Sequence, residues 1–206
     1  PDASRGVDHV LVLCRETMRC RYATECVAHY DVPVVSHHRT AAICADTARN
    51  SLVLAEAGVP TPRTTVAFTK ESALEAIESF GYPCVLKPVV GSWGRLMAKI
   101  DSRNAAEAIL EHKETLGHYE HKVFYIQEFV EKPGRDMRVV AVDGEPIAAM
   151  IRSSDHWLTN AAQGAEVTAF EPDERARELV AEASGAVRGG LLGLDLMEVG
   201  LFLIHI

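Results

Sequence analysis

The chain has 206 residues, 48% of them hydrophobic and 24% charged, which is the composition of an ordinary globular protein that can bury a core. Its formal net charge of −8 argues against general nucleic-acid binding, because such binding relies on a cationic surface. No apolar run approaches the roughly 20 residues of a membrane-spanning helix, and the N-terminal PDASRGVDH lacks the apolar stretch of a signal peptide, so we expect no nucleic-acid or membrane partner.

The N-terminal segment predicts a strand, a helix and a second strand. Short apolar runs at Val10–Leu13 and Val34-Val35 flank a helical pattern at Tyr22–His29. This order is typical of a parallel α/β layer, of which the segment would be a remnant. A second helix is predicted over Thr40–Glu56, with Gly58 ending it.

A stiff connection follows. Val59–Pro62, VPTP, contains two prolines and is the predicted boundary between a partial N-terminal domain, residues 1–58, and the rest of the chain. Beyond it, Thr69 is the expected N-cap of a helix that Gly81 ends.

The stretch Tyr82–Arg95, YPCVLKPVVGSWGR, predicts a strand and a glycine loop, and Leu96–Ile100 resumes an extended pattern. Lys87 lies in the apolar strand, where a buried lysine is costly unless an anion meets it. The loop offers backbone N–H groups and Arg95, which suit a phosphate. The loop lacks the ending of a P-loop. An edge-strand lysine that faces water, beside an ordinary hairpin, is therefore an equally good interpretation of these residues.

Downstream, the pattern predicts a helix over Asp101–Leu116 and a strand over Val123–Val130 that holds the polar pair Gln127-Glu128. Strands at Met137–Val142 and Pro146–Ile151 enclose Asp143-Gly144, a strong two-residue hairpin turn.

The last part of the chain begins with Arg152 and a polar loop. A helix is predicted over Asp173–Arg188, and a strand over Leu191–Glu198 whose alternation places three leucines on one face and Asp195 on the other. Leu201–Ile206 is a predicted final strand.

The five cysteines include no Cys-x-x-Cys pair. Such a pattern disfavours a zinc or redox site and indicates reduced thiols in a cytoplasmic protein.

Three runs resemble a known family: VLKPVVGSWGRLMAKI, YIQEFVEKPGRDMRV and IRSSDHWLTN. They are similar to the ATP-grasp carboxylate–amine ligases, specifically the LysX/ArgX type that acts on an amino-group carrier protein and is related to the ribosomal-protein glutamate ligase RimK. The resemblance implies an α/β (α+β) ATP-grasp fold. Two small α+β subdomains, residues 59–130 and 131–206, would clasp ATP after the N-terminal remnant.

The resemblance also implies ATP and Mg²⁺ as cofactors and gives roles to individual residues. Arg152 is the implied catalytic residue, facing the transferred phosphoryl group, and Asp195 is the implied first magnesium ligand. The implied ATP-binding residues are Lys87, the mobile-loop residues Gly91, Ser92, Trp93, Gly94, Arg95, Leu96 and Met97, the adenine- and ribose-contacting residues Gln127, Glu128, Phe129, Val130 and Glu131, and also Arg138 and Asn160.

Each of these residues has a plainer interpretation. Asp195 would merely pair with an arginine, and Arg138 only with Asp136. Gln127 and Glu128 would be two surface groups on an edge strand.

The sequence departs from the family pattern at three places. Thr47 follows Asp46 where the family usually has a second nucleotide-binding lysine, and residues 161–165, AAQGA, replace an Arg-Gly-Gly run. The Glu-x-Asn pair that would complete the metal site does not follow His205 and Ile206. We interpret the chain as a fragment of an active ligase that lacks part of the metal site, in preference to an inactive relative.

The leading hypothesis is an ATP-dependent ligase of lysine or arginine biosynthesis. Through an acyl-phosphate, it would join the side-chain carboxylate of a C-terminal glutamate on a small acidic carrier protein to the amino group of α-aminoadipate or glutamate. We expect a local basic patch for the carrier. A ribosomal-protein-type glutamate ligase and a non-catalytic nucleotide-binding module are the alternatives. The residues do not decide between a monomer and a homo-oligomer.

Overall fold

A computed structural model of the chain describes residues 8–12, 17–30, 32–90, 96–117, 122–161, 164–199 and 201–205. It divides the chain into two compact units: unit 1 is Pro1–Pro60 with Lys132–Ile206, and unit 2 is Thr61–Glu131. The predicted loop residues Gly91, Ser92, Trp93, Gly94 and Arg95 lie outside the described residues.

The described residues form six helices and nine strands. The helices are α1 (Thr17–His29), α2 (His38–Cys44), α3 (Thr47–Glu56), α4 (Lys70–Phe80), α5 (Arg103–Leu116) and α6 (Glu174–Ala186). The strands are β1 (Thr64–Ala67), β2 (Cys84–Lys87), β3 (Ala98–Ile100), β4 (Phe124–Glu128), β5 (Arg135–Val142), β6 (Glu145–Ser153), β7 (Glu166–Ala169), β8 (Leu191–Val199) and β9 (Leu201–His205). None of these helices is both long enough and apolar enough to cross a membrane.

The N-terminal segment keeps the predicted parallel pairing but not the predicted strands. Val10 and Val34 form a single parallel bridge, and α1 contains the predicted helix. The prediction of a single helix over Thr40–Glu56 is wrong, because the helix is interrupted between the end of α2 and the start of α3. Asp46 causes the break: its side chain accepts a hydrogen bond from Arg49 N at 3.0 Å and so caps α3.

Unit 2 is a four-stranded antiparallel sheet in the order β1-β4-β2-β3, with α4 and α5 packed on it. Thr69 caps α4 as predicted, in a capping box with Ser72. The core consists of residues that alternate along the strands with Lys87 and Gln127, together with apolar residues of both helices. Because β2 and β4 are both interior strands, the edge-strand interpretations of Lys87 and of Gln127-Glu128 are wrong.

The second sheet, in unit 1, has five antiparallel strands in the order β7-β6-β5-β8-β9. The predicted hairpin joins β5 to β6, and Asp143 and Gly144 both have positive φ, as a two-residue turn of this kind requires. Leu192, Leu194 and Leu196 pack with α6 in the core. Asp195 therefore lies on the opposite face of the sheet, as the alternation predicts.

Candidate functional site

Lys87 is part of a polar network on β1, β2 and β4, which we call the lysine network: Thr64, Lys87, Tyr125 and Gln127. Lys87 Nζ donates to Gln127 Oε1 at 2.6 Å. The Gln127 amide in turn donates from Nε2 to the Tyr125 hydroxyl at 2.9 Å and to Thr64 Oγ1 at 3.0 Å. Both amide protons thus have acceptors, and the amide oxygen is directed at the lysine. This arrangement fixes the position of the Lys87 amine at the end of β2.

The lysine network changes the expectation for Gln127. Gln127 is 5% exposed and its side-chain amide is used by neighbouring side chains, so this amide is not directed at an adenine edge in the structure. Glu128 is engaged as well, since its carboxylate accepts from Arg63 N at 2.8 Å and from Arg63 Nε at 2.7 Å.

The other predicted ATP-binding residues of unit 2 lie beside the lysine network in sequence. Phe129 has Lys99 Nζ 4.0 Å from its ring centroid. Val130 and Met97 are half-buried, whereas Glu131 and Leu96 are exposed. Leu96 has a φ of 58°, a conformation that is unusual for a leucine.

Unit 1 contains a second group of polar side chains on the face of its sheet that carries Asp195. We call it the charged cluster, and its members are Lys132, Asp136, Arg138, Arg152, Thr159 and Asp195. The central contact is an ion pair in which Arg152 Nε donates to Asp136 Oδ1 at 2.7 Å. Arg152 Nη2 lies 2.8 Å from Asp195 Oδ1. Arg152 is thus held between two carboxylates that come from the neighbouring strand β5 and from β8.

Two further groups fix Asp136. Its Oδ2 accepts hydrogen bonds from Lys132 Nζ at 3.1 Å and from the Thr159 hydroxyl, and the same lysine donates to Thr159 Oγ1 at 2.5 Å. Asp136, Arg152 and Thr159 are all buried, with 6%, 4% and 2% of their surface exposed.

These contacts set the ionisation of the two buried groups. Burial alone raises the pKa of Asp136, but the bonds from Arg152 and Thr159 and the charge of Lys132 hold that pKa below its ordinary value. Burial lowers the pKa of Arg152, but Asp136 and Asp195 raise it above the ordinary value. The pair is therefore a carboxylate and a guanidinium ion at neutral pH.

Arg138 pairs with Asp195 and not with Asp136. Its Nε lies 2.7 Å from Asp195 Oδ1, and its Nη2 donates to Oδ2 at 3.2 Å. Gly193 makes room for this pair, because a Cβ there would lie 2.5 Å from Arg138 Nη1. Asp195 thus pairs with two arginines, Arg138 and Arg152. Burial raises the pKa of Asp195, although both arginines act to lower it.

The charged cluster suits a phosphate group, because its three cations outnumber its two carboxylates. Asn160, the predicted ATP contact, is half-buried and directly follows Thr159. A carboxylate is also a ligand that Mg²⁺ prefers, and Mg²⁺ usually takes one or two of them together with phosphate oxygens and water. Asp195 fits that role as one ligand. Within the described residues no three His, Cys, Asp or Glu side chains lie close enough together to hold a metal.

Sequence reasoning gave no site role to Lys132, Asp136 or Thr159. Asp136 and Thr159 are buried and Lys132 is half-buried, in a unit whose buried residues are mainly apolar, but the contacts that enclose them span 23 to 27 residues of sequence. The one usable sequence indication was Asp136 in the run RDMR, where an aspartate on a strand is flanked by arginines.

The four cysteines in the described part of the chain lie outside both groups of residues. Cys20, Cys26, Cys44 and Cys84 are free thiols, as expected for reduced cysteines. Burial raises the pKa of Cys44 to about 12 and that of Cys84 to about 11, so both thiols stay protonated.

Comparison with known proteins gives consistent matches. Residues 44–205 match the model of the RimK-like ATP-grasp domain. The α-aminoadipate–LysW ligase LysX of Saccharolobus solfataricus is 38% identical over 167 residues, which are 81% of this chain and 61% of the relative. The glutamate–LysW ligase ArgX of Sulfolobus acidocaldarius is 30% identical over 182 residues, which are 87% of this chain and 64% of the relative.

A solved structure agrees with these matches. The crystal structure of the RimK domain protein ATP-grasp from Sphaerobacter thermophilus superimposes with a TM-score of 0.78 at 25% identity, covering 95% of this chain and 71% of that one. The matched part of the chain spans less than two thirds of the length of the LysX and ArgX relatives. Since the family model covers most of the described residues in both units, the chain belongs to the RimK-like ATP-grasp family.

Proposed function

We propose that this chain is the ATP-binding part of an ATP-dependent carboxylate–amine ligase of the LysX/ArgX type. Its carboxylate substrate would be the C-terminal glutamate of a small acidic carrier protein, and its amine substrate α-aminoadipate or glutamate. The relatives named α-aminoadipate–LysW ligase and glutamate–LysW ligase support this proposal. The observation that carries it is the charged cluster, in which Arg152 is buried, ionised and fixed between two carboxylates.

The residues of the chain would mainly position groups and neutralise charge. When bound, ATP supplies the phosphoryl group that turns the carboxylate into an acyl-phosphate, from which the amine then displaces phosphate. Arg152 would neutralise the negative charge of the transferred phosphoryl group, and it would do so without reorganisation because its guanidinium is already held in place. Lys87, held by Gln127, would bind another part of the phosphate chain.

Asp195 would hold Mg²⁺, with Arg138 and Arg152 as its partners in the metal-free chain. The glycine loop would contribute backbone N–H groups, and Asn160 a side-chain contact. A cytoplasmic location and a local basic patch for the carrier are further parts of the proposal.

Calorimetry tests the binding step. We expect the chain to bind ATP more tightly with Mg²⁺ than without it, and we expect Arg152→Gln to weaken ATP binding about tenfold, since it removes a charge-assisted contact. Arg135→Gln is the matched control, because Arg135 lies on the same sheet in an exposed pair with Glu198 at 2.8 Å. Equal ATP affinity in the two variants would contradict the role of Arg152.

Mass spectrometry tests the reaction. The gene product that contains this chain would be incubated with the carrier protein, ATP, Mg²⁺ and either α-aminoadipate or glutamate. A gain in carrier mass equal to one amino acid less one water supports the proposal. The absence of an adduct with both amino acids rejects it.

One observation favours a nucleotide-binding module without catalysis. Both oxygens of Asp195 are engaged by arginines, so a chain without further metal ligands would bind ATP through cations alone. ATP affinity that does not respond to Mg²⁺, together with no adduct, would establish this second function.

A further inference from the structure

The two carboxylates that hold Arg152 are not equivalent. The Asp136 side chain is 8% exposed, and its oxygens accept hydrogen bonds from Arg152, Lys132 and Thr159. The Asp195 side chain is 24% exposed and is shared with Arg138. Asp136 is therefore the more enclosed partner of Arg152, and Asp195 is the more exposed one, although its Oδ1 is itself buried.

Lys132 and Thr159 restrict the movement of Asp136. The lysine ammonium bonds both to the carboxylate and to the Thr159 hydroxyl, and the hydroxyl donates to the same carboxylate oxygen. The three groups close a triangle, so none of them can turn away without leaving a buried polar group unpaired. Of the three groups, Asp136 is the one that binds Arg152, by accepting a hydrogen bond from its Nε.

Thr159 also connects the triangle to the polar loop. The loop leaves the sheet after β6, and Thr159 within it is buried, with 2% of its surface exposed. Its hydroxyl is the contact that fastens the loop to Asp136 on β5, immediately before Asn160. The same hydroxyl thus helps to position Arg152, through Asp136, and Asn160, which follows Thr159 in the loop.

We propose that Lys132, Asp136 and Thr159 are positioning residues that fix the Arg152 guanidinium independently of Asp195. If Asp195 binds another cation, Arg152 loses one of its two carboxylate partners. Its guanidinium keeps its orientation, because Lys132 and Thr159 hold Asp136 in place. The consequence for phosphate binding rests on the proposed function. The orientation of Arg152 in the nucleotide-free chain does not depend on the proposed function.

Three variants separate the contributions. Thr159→Val has nearly the same shape as threonine but lacks the hydroxyl, and Thr159→Ser keeps the hydroxyl. Asp136→Asn removes the charge that holds Arg152. Glu198→Gln is the control, because it breaks an exposed ion pair on the same sheet. Melting curves identify the variants that remain folded, and Thr159→Val keeps the test available if Asp136→Asn does not fold.

The first measurement is solvent exchange of the Arg152 Nε proton by NMR in the nucleotide-free chain, with the resonance assigned by its loss in Arg152→Lys. We expect slow exchange in the wild type, Thr159→Ser and Glu198→Gln. In Thr159→Val and Asp136→Asn, exchange should be faster by about tenfold or more, since a charge-assisted contact is lost or weakened.

The second measurement compares affinities for ATP and AMP. Thr159→Val should weaken ATP binding about tenfold and leave AMP binding within about twofold, because AMP lacks the phosphates that Arg152 would meet. Thr159→Ser should restore ATP binding. If the wild type binds no ATP, the proposed function fails while the exchange measurement still tests the positioning. Slow Arg152 exchange in Thr159→Val would overturn the inference.

Discussion

At the scale of single residues, Asp136 links the charged cluster to the stability of the fold. Its pKa in the folded chain lies below the ordinary carboxyl value of 3.8, so the ionised form stabilises the folded state. This contribution is complete above pH 3.8 and is lost as the pH falls through the lower folded value. The acid sensitivity of unit 1 should therefore depend on this side chain.

Asp136→Asn tests that dependence. At pH 7 we expect it to lower the free energy of unfolding by about 3 kcal/mol, as for a buried ion pair with one partner removed. The difference from the wild type should shrink as the pH drops below 3.8. Urea unfolding between pH 7 and 3 measures both quantities. A difference that grows toward low pH would contradict the assignment, and Glu198→Gln should cost less than about 1 kcal/mol at pH 7.

Gly193 is a second residue whose role follows from geometry. Gly193→Ala places a Cβ 2.5 Å from Arg138 Nη1, so the arginine must move away from Asp195. Because the displaced atom is the end of a flexible side chain, we expect a loss below about 1 kcal/mol. In an Arg138→Ala background the sign should reverse, since alanine is preferred to glycine in a strand by about 0.5–1 kcal/mol. A double-mutant cycle of unfolding free energies checks the reversal, and equal effects in both backgrounds would show that the two residues do not interact.

The charged cluster also shows where sequence reasoning ends at this scale. Lys87, Arg152 and Asp195 are predicted as site residues because their motifs resemble those of a family, and the alternation of β8 predicts the face of the sheet on which Asp195 lies. The contacts among these side chains could not be found in this way. Thr159 meets Asp136 across 23 residues, and Arg138 meets Asp195 across 57, so only the pairing of β5 with β6 and β8 decides these contacts.

At the scale of elements, the predictions succeeded where local chemistry determines the structure. Thr69 caps α4, Asp143-Gly144 forms the hairpin turn, and the leucine alternation of β8 is present. Strands β1 and β7 were not predicted; each has four residues and little apolar content. Both are edge strands, formed by pairing with β4 and β6, so no periodicity in their own residues reveals them.

Alanine substitutions at two glycines of unit 1 should change the stability of the fold in opposite directions. Gly185 lies in α6 with nothing within 4 Å of an added Cβ, so Gly185→Ala should stabilise by about 0.5 kcal/mol through helix propensity. Gly144 has a φ of 90°, and its Cβ would meet Ala181 Cα at 3.2 Å. Gly144→Ala should therefore destabilise by at least about 1–2 kcal/mol. Thermal melts measure both, with shifts of about 2–4 °C per kcal/mol for a chain of this size. Shifts of the same sign would contradict the turn geometry.

At the scale of the whole molecule, the described residues form two hydrophobic cores, one in each unit. The unit 1 core lies between α6 and the five-stranded sheet, with contributions from α2 and α3, and the unit 2 core lies between α4, α5 and the four-stranded sheet. No residue belongs to both cores among the described part of the chain. We therefore expect each core to stabilise mainly its own unit.

Matched cavity variants test this expectation. Leu110 in α5 and Leu194 in β8 are both fully buried, one in each core. Each change to alanine should cost about 2–5 kcal/mol in its own unit, because the lost contacts and the cavity both lie there. Hydrogen exchange followed by mass spectrometry reads the two units separately. Leu110→Ala should speed exchange in β2 and β4 and leave β5 and β8 protected, whereas Leu194→Ala should do the reverse. If either variant speeds exchange equally in both sheets, the chain unfolds as one cooperative unit, since opening one core then requires opening the other.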